Sequence, residues 1–151
     1  YLRQCYKENA LARGRMKLDG VALDLSKVKI PAYFQSSKED HIAPFRSVFK
    51  ATKLFGGTVR YILAGSGHIA GVINPPGANK DQYWTNEQDS GASSLEAWRA
   101  GAAEHPGSWW PDWDRWLSAL SGPMICARKP GDGKLKPLGE APGNYVKVKA
   151  Q

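Results

Sequence analysis

The sequence predicts an α/β protein with parallel strands, and three stretches carry that prediction. AYFQSS (32–37), directly after Pro31, is short and aromatic and ends in polar residues, as suits a buried strand running into a turn. In the next stretch Phe45, Val48, Phe49, Thr52 and Phe55 recur at three- and four-residue steps, which gives a helix one buried stripe. Pro44 suits its first turn and Gly56-Gly57 its end. TVRYILA (58–64) combines β-branched and aromatic residues and reads as the clearest strand of the chain. Strand, helix and strand in alternation signal a parallel sheet with flanking helices. The polar turns that follow the two strands then emerge at one sheet edge, where open α/β sheets place their sites.

The other segments read less sharply. Residues 2–12 suit a short polar helix closed by Gly14, and VALDL (21–25) alternates like a half-exposed strand. Residues 74–94 read as a turn-rich loop. SLEAWRAGAAEH (94–105) reads as a helix, with Ser94 as N-cap and Glu96 spaced to pair with Arg99. WPDWDRWLSALSG (110–122) reads as a helix with Pro111 at its start and Gly122 after it. Residues 129–143 hold too much Gly and Pro to be regular, and YVKVKA reads as a short strand or a tail. There is no internal repeat, and nothing divides residues 1–151 into two domains.

Composition bounds the function classes. With 151 residues, 42% hydrophobic and 23% charged, the chain suits one globular domain with a core. Lys and Arg number 21 against 14 Asp and Glu, a net +7. That excess suits a phosphate-bearing ligand, an anionic surface or simply a solvated face. The first residues have no signal-peptide pattern, and no apolar run nears the ~18 residues of a membrane span. Cys5 and Cys126 stand far apart, without metal-ligand spacing or a disulfide framework, so the expectation is a cytoplasmic protein without a metal. Beginning on Tyr1, the chain is expected to belong to a longer protein.

Chemistry concentrates in the two turns, SKED (37–40) and GSGH (65–68). Asp40 and His68 are far enough apart for one helix and one strand between them. A weak nucleophile needs a nearby base, and the base needs a carboxylate to fix its tautomer and steady its cation. In α/β-hydrolases the chain order is nucleophile, acid, histidine, the last two on turns after late strands. Gly65, Gly67 and Gly71 would let backbone and substrate approach closely. The residues alone leave a structural alternative open, with Asp40 capping the helix at Pro44 and His68 an ordinary turn histidine. His41 is a further candidate beside the acid, and His105 reads as a surface residue favoured by a helix end. No G-x-S-x-G or G-x-C-x-G elbow occurs in the chain, so the nucleophile is expected upstream of it. Trp109, Trp110, Trp113 and Trp116, around a helix start, read as packing residues rather than a base-stacking platform.

The strings SKEDHIAPF, LAGSGHIAGVINPP and HPGSWWPDW, in this order, resemble class I polyhydroxyalkanoate synthases. The resemblance runs over nearly the whole chain and weakens between 77 and 93 and between 124 and 140. It implies the C-terminal portion of an α/β-hydrolase fold, with Asp40 and His68 as the acid and base of a Cys-His-Asp triad. His41 and Ala70 would contact substrate, and no cofactor is implied. The implied partners are an (R)-3-hydroxyacyl-coenzyme A and the growing polyester, with a homodimer when full length, no nucleic acid and no membrane span. The implied location is the cytoplasm, at the surface of polyester granules. Ala43 and Phe45 depart from the larger aliphatic residue and the Trp that the family often carries there, which touches packing more than chemistry. An esterase or haloacid-type hydrolase fragment, with Ser or Asp as nucleophile, is the first alternative. A basic, Trp-rich binding module is the second.

Overall fold

The computed structural model describes residues 1–87 and 92–150. It divides into two compact units, residues 1–119 and 120–151. The first opens with a single helical turn, Leu2–Lys7, and a two-stranded hairpin, β1 (Lys17–Leu18) with β2 (Val21–Ala22). Asp19 and Gly20 link these strands with φ of 48° and 77°, the left-handed pair that two-residue hairpins require. VALDL is thus a strand over only two residues.

Next come β3 (Ala32–Ser37), α1 (Phe45–Ala51) and β4 (Val59–Ala64), in the order that the hydrophobic pattern predicts, although α1 ends at Ala51 and does not reach Phe55. β3 and β4 are parallel, from Ala32 opposite Val59 to Ser37 opposite Ala64. The connection through α1 supplies the crossover that parallel neighbours need. β4 is buried on both faces, which explains its near-continuous apolar run. Tyr61 and Leu63 pack with Phe49, Leu95 and Trp98 on one side, and Ile62 and Ala64 with Tyr83 and Trp109 on the other.

The expected parallel pairing holds for β3 and β4 and does not continue beyond β4. Two further strands, β5 (Gln82–Thr85) and β6 (Ala103–Pro106), extend the sheet in the order β3-β4-β5-β6, and both added pairings are antiparallel. No α-helix lies between β4 and β5 to carry the chain back. α2 (Leu95–Ala100), between β5 and β6, is six residues. At about 9 Å it turns the chain round rather than returning it to the strand's start. β5 falls inside the segment read as a loop, and residues 88–91 of that segment lie outside the described residues. β6 replaces the last part of the helix expected over 94–105. Gly101 ends α2, its N–H bonding to Ala97 O, and Ser94 caps the start as expected by accepting from Ala97 N.

α3 (Trp110–Leu120) lies on the Ile62 side of the sheet. Its Asp112 is 4% exposed and bonded to both parallel strands. Tyr33 Oη donates to Asp112 Oδ2 at 2.8 Å, Arg60 Nε to Oδ2 at 2.9 Å and Arg60 Nη2 to Oδ1 at 2.6 Å. Burial works to raise the Asp112 pKa, but the bonds from Arg60 and Tyr33 outweigh it, and the carboxyl sits below its ordinary value. Burial, then the bond to Asp112, push the Tyr33 phenol upward. The second unit holds one helical turn, Tyr145–Lys147, where a strand or tail was expected, and a turn in which Asp132 Oδ2 accepts from Lys129 N at 2.7 Å. Among the described residues no helix is long and apolar enough to cross a membrane.

Candidate active site

Parallel pairing does not stop where β3 and β4 end. Lys38 N donates to Ala64 O and Glu39 N to Ser66 O, each at 2.9 Å, so the two turns stay laced together past the strands. Ser66 adopts φ 63° to present its carbonyl, and only then does the chain reach His68. The lacing sets the acid-bearing turn beside the histidine-bearing turn at the carboxyl ends of the strands. His68 Nδ1 lies 2.9 Å from Asp40 Oδ2.

Asp40 uses both carboxylate oxygens. Oδ1 accepts the backbone N–H groups of Ile42 at 2.8 Å and Ala43 at 2.9 Å, bracing the turn that leads into Pro44 and α1. Asp40 does not cap α1, whose N-cap is Pro44 without a side-chain bond; it braces the turn before the helix while its other oxygen pairs with His68. The bond from Ala43 N–H, then that from His68, lowers the Asp40 pKa from 3.8 to about 2. The carboxylate therefore persists across neutral and mildly acid pH. Its contribution to the folded state is complete above 3.8 and fades as the pH falls toward about 2. Asp40 is 7% exposed at its side chain and His68 46%, so the acid is shielded and the imidazole faces outward. Among the described residues His68 Nε2 has no hydrogen-bond partner. This arrangement can accept a proton at Nε2 while the carboxylate steadies the resulting cation.

The histidine turn is packed from beneath. Gly71 N donates to Gly67 O at 2.9 Å, and the residue lies against β3. A Cβ on Gly71 would fall 2.2 Å from Ser37 Oγ and 2.7 Å from Gly65 O. Gly65 makes a lesser approach, 3.0 Å from Gln82 O, whereas Gly67 is open. From above, Trp109 Nε1 donates to Gly71 O and Trp110 Nε1 to Val72 O, each at 3.0 Å.

His41 and Ala70 are both exposed, one on each turn, and His41 makes no side-chain hydrogen bond among the described residues. His105 departs from expectation. It sits on β6, stacked on Tyr83, with Nε2 2.8 Å from Thr85 Oγ1, so it is a sheet residue and not a helix-end one. Cys5 is partly buried and Cys126 exposed, and both are free thiols. Among the described residues no cluster of His, Cys, Asp and Glu could hold a metal ion. The tryptophans pack as expected, Trp109 stacked on Tyr33 and Trp116 edge-on to it. The sequence pattern does not show the bonds of the Trp109 and Trp110 indoles to the histidine turn, nor the burial of Asp112 against Tyr33 and Arg60. The available signal was an acid within a helix face otherwise made of tryptophan.

No protein-family model matches the chain. It is 51% identical over 150 residues to the poly(3-hydroxyalkanoate) polymerase of Methylorubrum extorquens, covering 99% of this chain and 25% of that protein. With the polymerase subunit PhaC of Rhizobium etli it shares 49% identity over 146 residues, 97% of this chain and 23% of the relative. With that of Cupriavidus necator the identity is 44% over 152 residues, covering 99% and 26%. The chain spans about a quarter of the length of these curated relatives. Identity of 44–51% over nearly the whole chain places it in the poly(3-hydroxyalkanoate) polymerase family.

Proposed function

We propose that this chain is the acid- and base-bearing C-terminal part of a class I polyhydroxyalkanoate synthase, an acyltransferase that polymerises (R)-3-hydroxyacyl groups from coenzyme A thioesters. The observation that carries the reading is the 2.9 Å contact between His68 Nδ1 and Asp40 Oδ2 at the carboxyl ends of parallel strands. On this reading β3 and β4 are late strands of an α/β-hydrolase sheet, and a cysteine elsewhere in the protein is the nucleophile.

His68 Nε2 takes the thiol proton, and the cysteine sulfur attacks the thioester carbonyl. The bond from that carbon to the coenzyme A sulfur breaks. The departing thiolate recovers the proton from His68, leaving acyl-cysteine and free coenzyme A. In the second half, the 3-hydroxyl of another unit gives its proton to His68 and attacks the acyl-cysteine. An ester forms, and the cysteine thiolate leaves and is reprotonated. Asp40 orients His68 and steadies its cation in both halves. A carboxylate held at about 2 is a poor base for an alcohol, which supports this division of labour. The net +7 charge suits the phosphates of coenzyme A.

Activity of the two forms tests the reading. Full-length protein incubated with (R)-3-hydroxybutyryl-coenzyme A should release free thiol and form polymer, and the isolated 151-residue chain should release none. Thiol release by the isolated chain would contradict an external nucleophile. An acyl group trapped on serine in the full-length protein would favour the esterase alternative.

Ala70, exposed two residues beyond the base, is assigned with His41 to the substrate side. A methyl there suits short acyl chains. Replacing Ala70 with Leu or Ser in the full-length protein should change the relative rates with three-carbon to six-carbon hydroxyacyl thioesters. An unchanged profile would remove Ala70 from the channel.

A further inference from the structure

We infer that Trp109 and Trp110 are positioning residues for the base: their indole N–H groups hold the histidine turn at the height where His68 meets Asp40. The inference rests on the assignment of His68 as base and goes beyond it. Residues 68–72 form a tight turn whose approach is tied to the acid-bearing turn by the Glu39–Ser66 bond and whose middle rests on Ser37 of β3 through Gly71. At its far end β3 offers only a long bond, from Gln35 Nε2 to Gly71 O at 3.4 Å. Gly71 O and Val72 O are taken there by two consecutive indoles at the start of α3, each at 3.0 Å. A lone Trp N–H on a carbonyl would be ordinary satisfaction of a buried donor. Two adjacent ones on two adjacent carbonyls, three and four residues after the base, fix that end of the turn against rotation.

The clamp needs a rigid support, and α3 has one. Asp112, two residues beyond Trp110, binds Tyr33 on β3 and Arg60 on β4, the strands that deliver the acid and the base. Trp109 also stacks on Tyr33 at 6.0 Å between ring centres. Histidine turn, helix start and paired strands thus form a closed loop of contacts. Loosening the indole end would let His68 drift from Asp40, which weakens the carboxylate's support for the imidazolium formed in the reaction.

The test uses full-length synthase with Trp109→Phe/Trp110→Phe, which keeps aromatic rings and removes both donors. Trp113→Phe on the same helix, whose indole donates to neither carbonyl, is the matched control. The double variant should lose about tenfold in kcat with KM nearly unchanged. The acid limb of its kcat/KM profile should move to lower pH, and Trp113→Phe should behave as wild type. Trp110→Phe alone, at a half-buried position, should show the same shift with about a fivefold loss, and it carries the test if the double variant does not fold. Destabilisation without repositioning would lower the yield of active enzyme equally at every pH. A lowered kcat with an unmoved acid limb, or no change at all, therefore overturns the inference. His68→Ala is measured alongside. Retained activity in that variant would instead remove the base assignment on which the inference rests.

Discussion

On the proposed mechanism, His68→Ala in the full-length protein should lower cysteine acylation, followed as coenzyme A release, by at least about 10⁴-fold. The imidazole alone connects the buried carboxylate to the outside of the site, and among the described residues no second base bonds to Asp40. Asp40→Asn should be less severe and more instructive. The amide oxygen can still accept from Ile42 and Ala43, so the turn survives. Its NH₂ group would then face Nδ1 and favour the tautomer with the proton on Nε2, the wrong one for accepting a thiol proton. Acylation should persist at a small fraction of the wild-type rate, with elongation slowed at least as much. His41→Ala should be milder than either, because its side chain contributes no bond to the pair. Wild-type burst acylation in His68→Ala would transfer the role of base elsewhere.

The largest effect on stability should come from a residue with no part in the chemistry. Asp112→Ala leaves the Arg60 guanidinium, 17% exposed, and the Tyr33 hydroxyl without their shared acceptor inside the protein. Breaking a buried pair from one side costs about 3–5 kcal/mol, which denaturant unfolding would detect as a lowered midpoint. The Arg46–Glu96 pair is just as short, 2.8 Å, but its side chains are 63% and 68% exposed. Glu96→Ala should cost less than about 1 kcal/mol. Equal losses from the two substitutions would show that Asp112 does not anchor α3 to the sheet.

The parallel half of the sheet was legible because both strands and the helix between them bury residues at regular steps. AYFQSS matches β3 residue for residue, and TVRYILA misses β4 by one. The acid–histidine pair followed from that regularity, since parallel strands bring the ends of their turns together whatever the turns contain. β5 escaped because QYWT is only four residues long and lies among Pro, Gly and Asn, although Tyr83 and Thr85 alternate inward as a strand requires. β6 escaped because Ala103 and Glu104 favour helices locally. Its pairing with β5 overrode that preference, as tertiary contacts often do. The clamp on the histidine turn is a relation between residues 38 positions apart. No local pattern encodes such a relation, and composition offers only the count of tryptophans.

For anyone diversifying the histidine turn to broaden the range of polyesters, neighbouring codons face opposite constraints. Ala70 is exposed, so a library can vary its size and polarity freely without disturbing the frame. At position 71 the first carbon of any side chain would meet Ser37 and the Gly65 carbonyl, well inside contact distance. Randomising both codons together would fill such a library with clones in which the turn, and His68 with it, is displaced. Holding codon 71 at glycine confines the variation to the exposed side of the turn, which the proposed function assigns to the substrate.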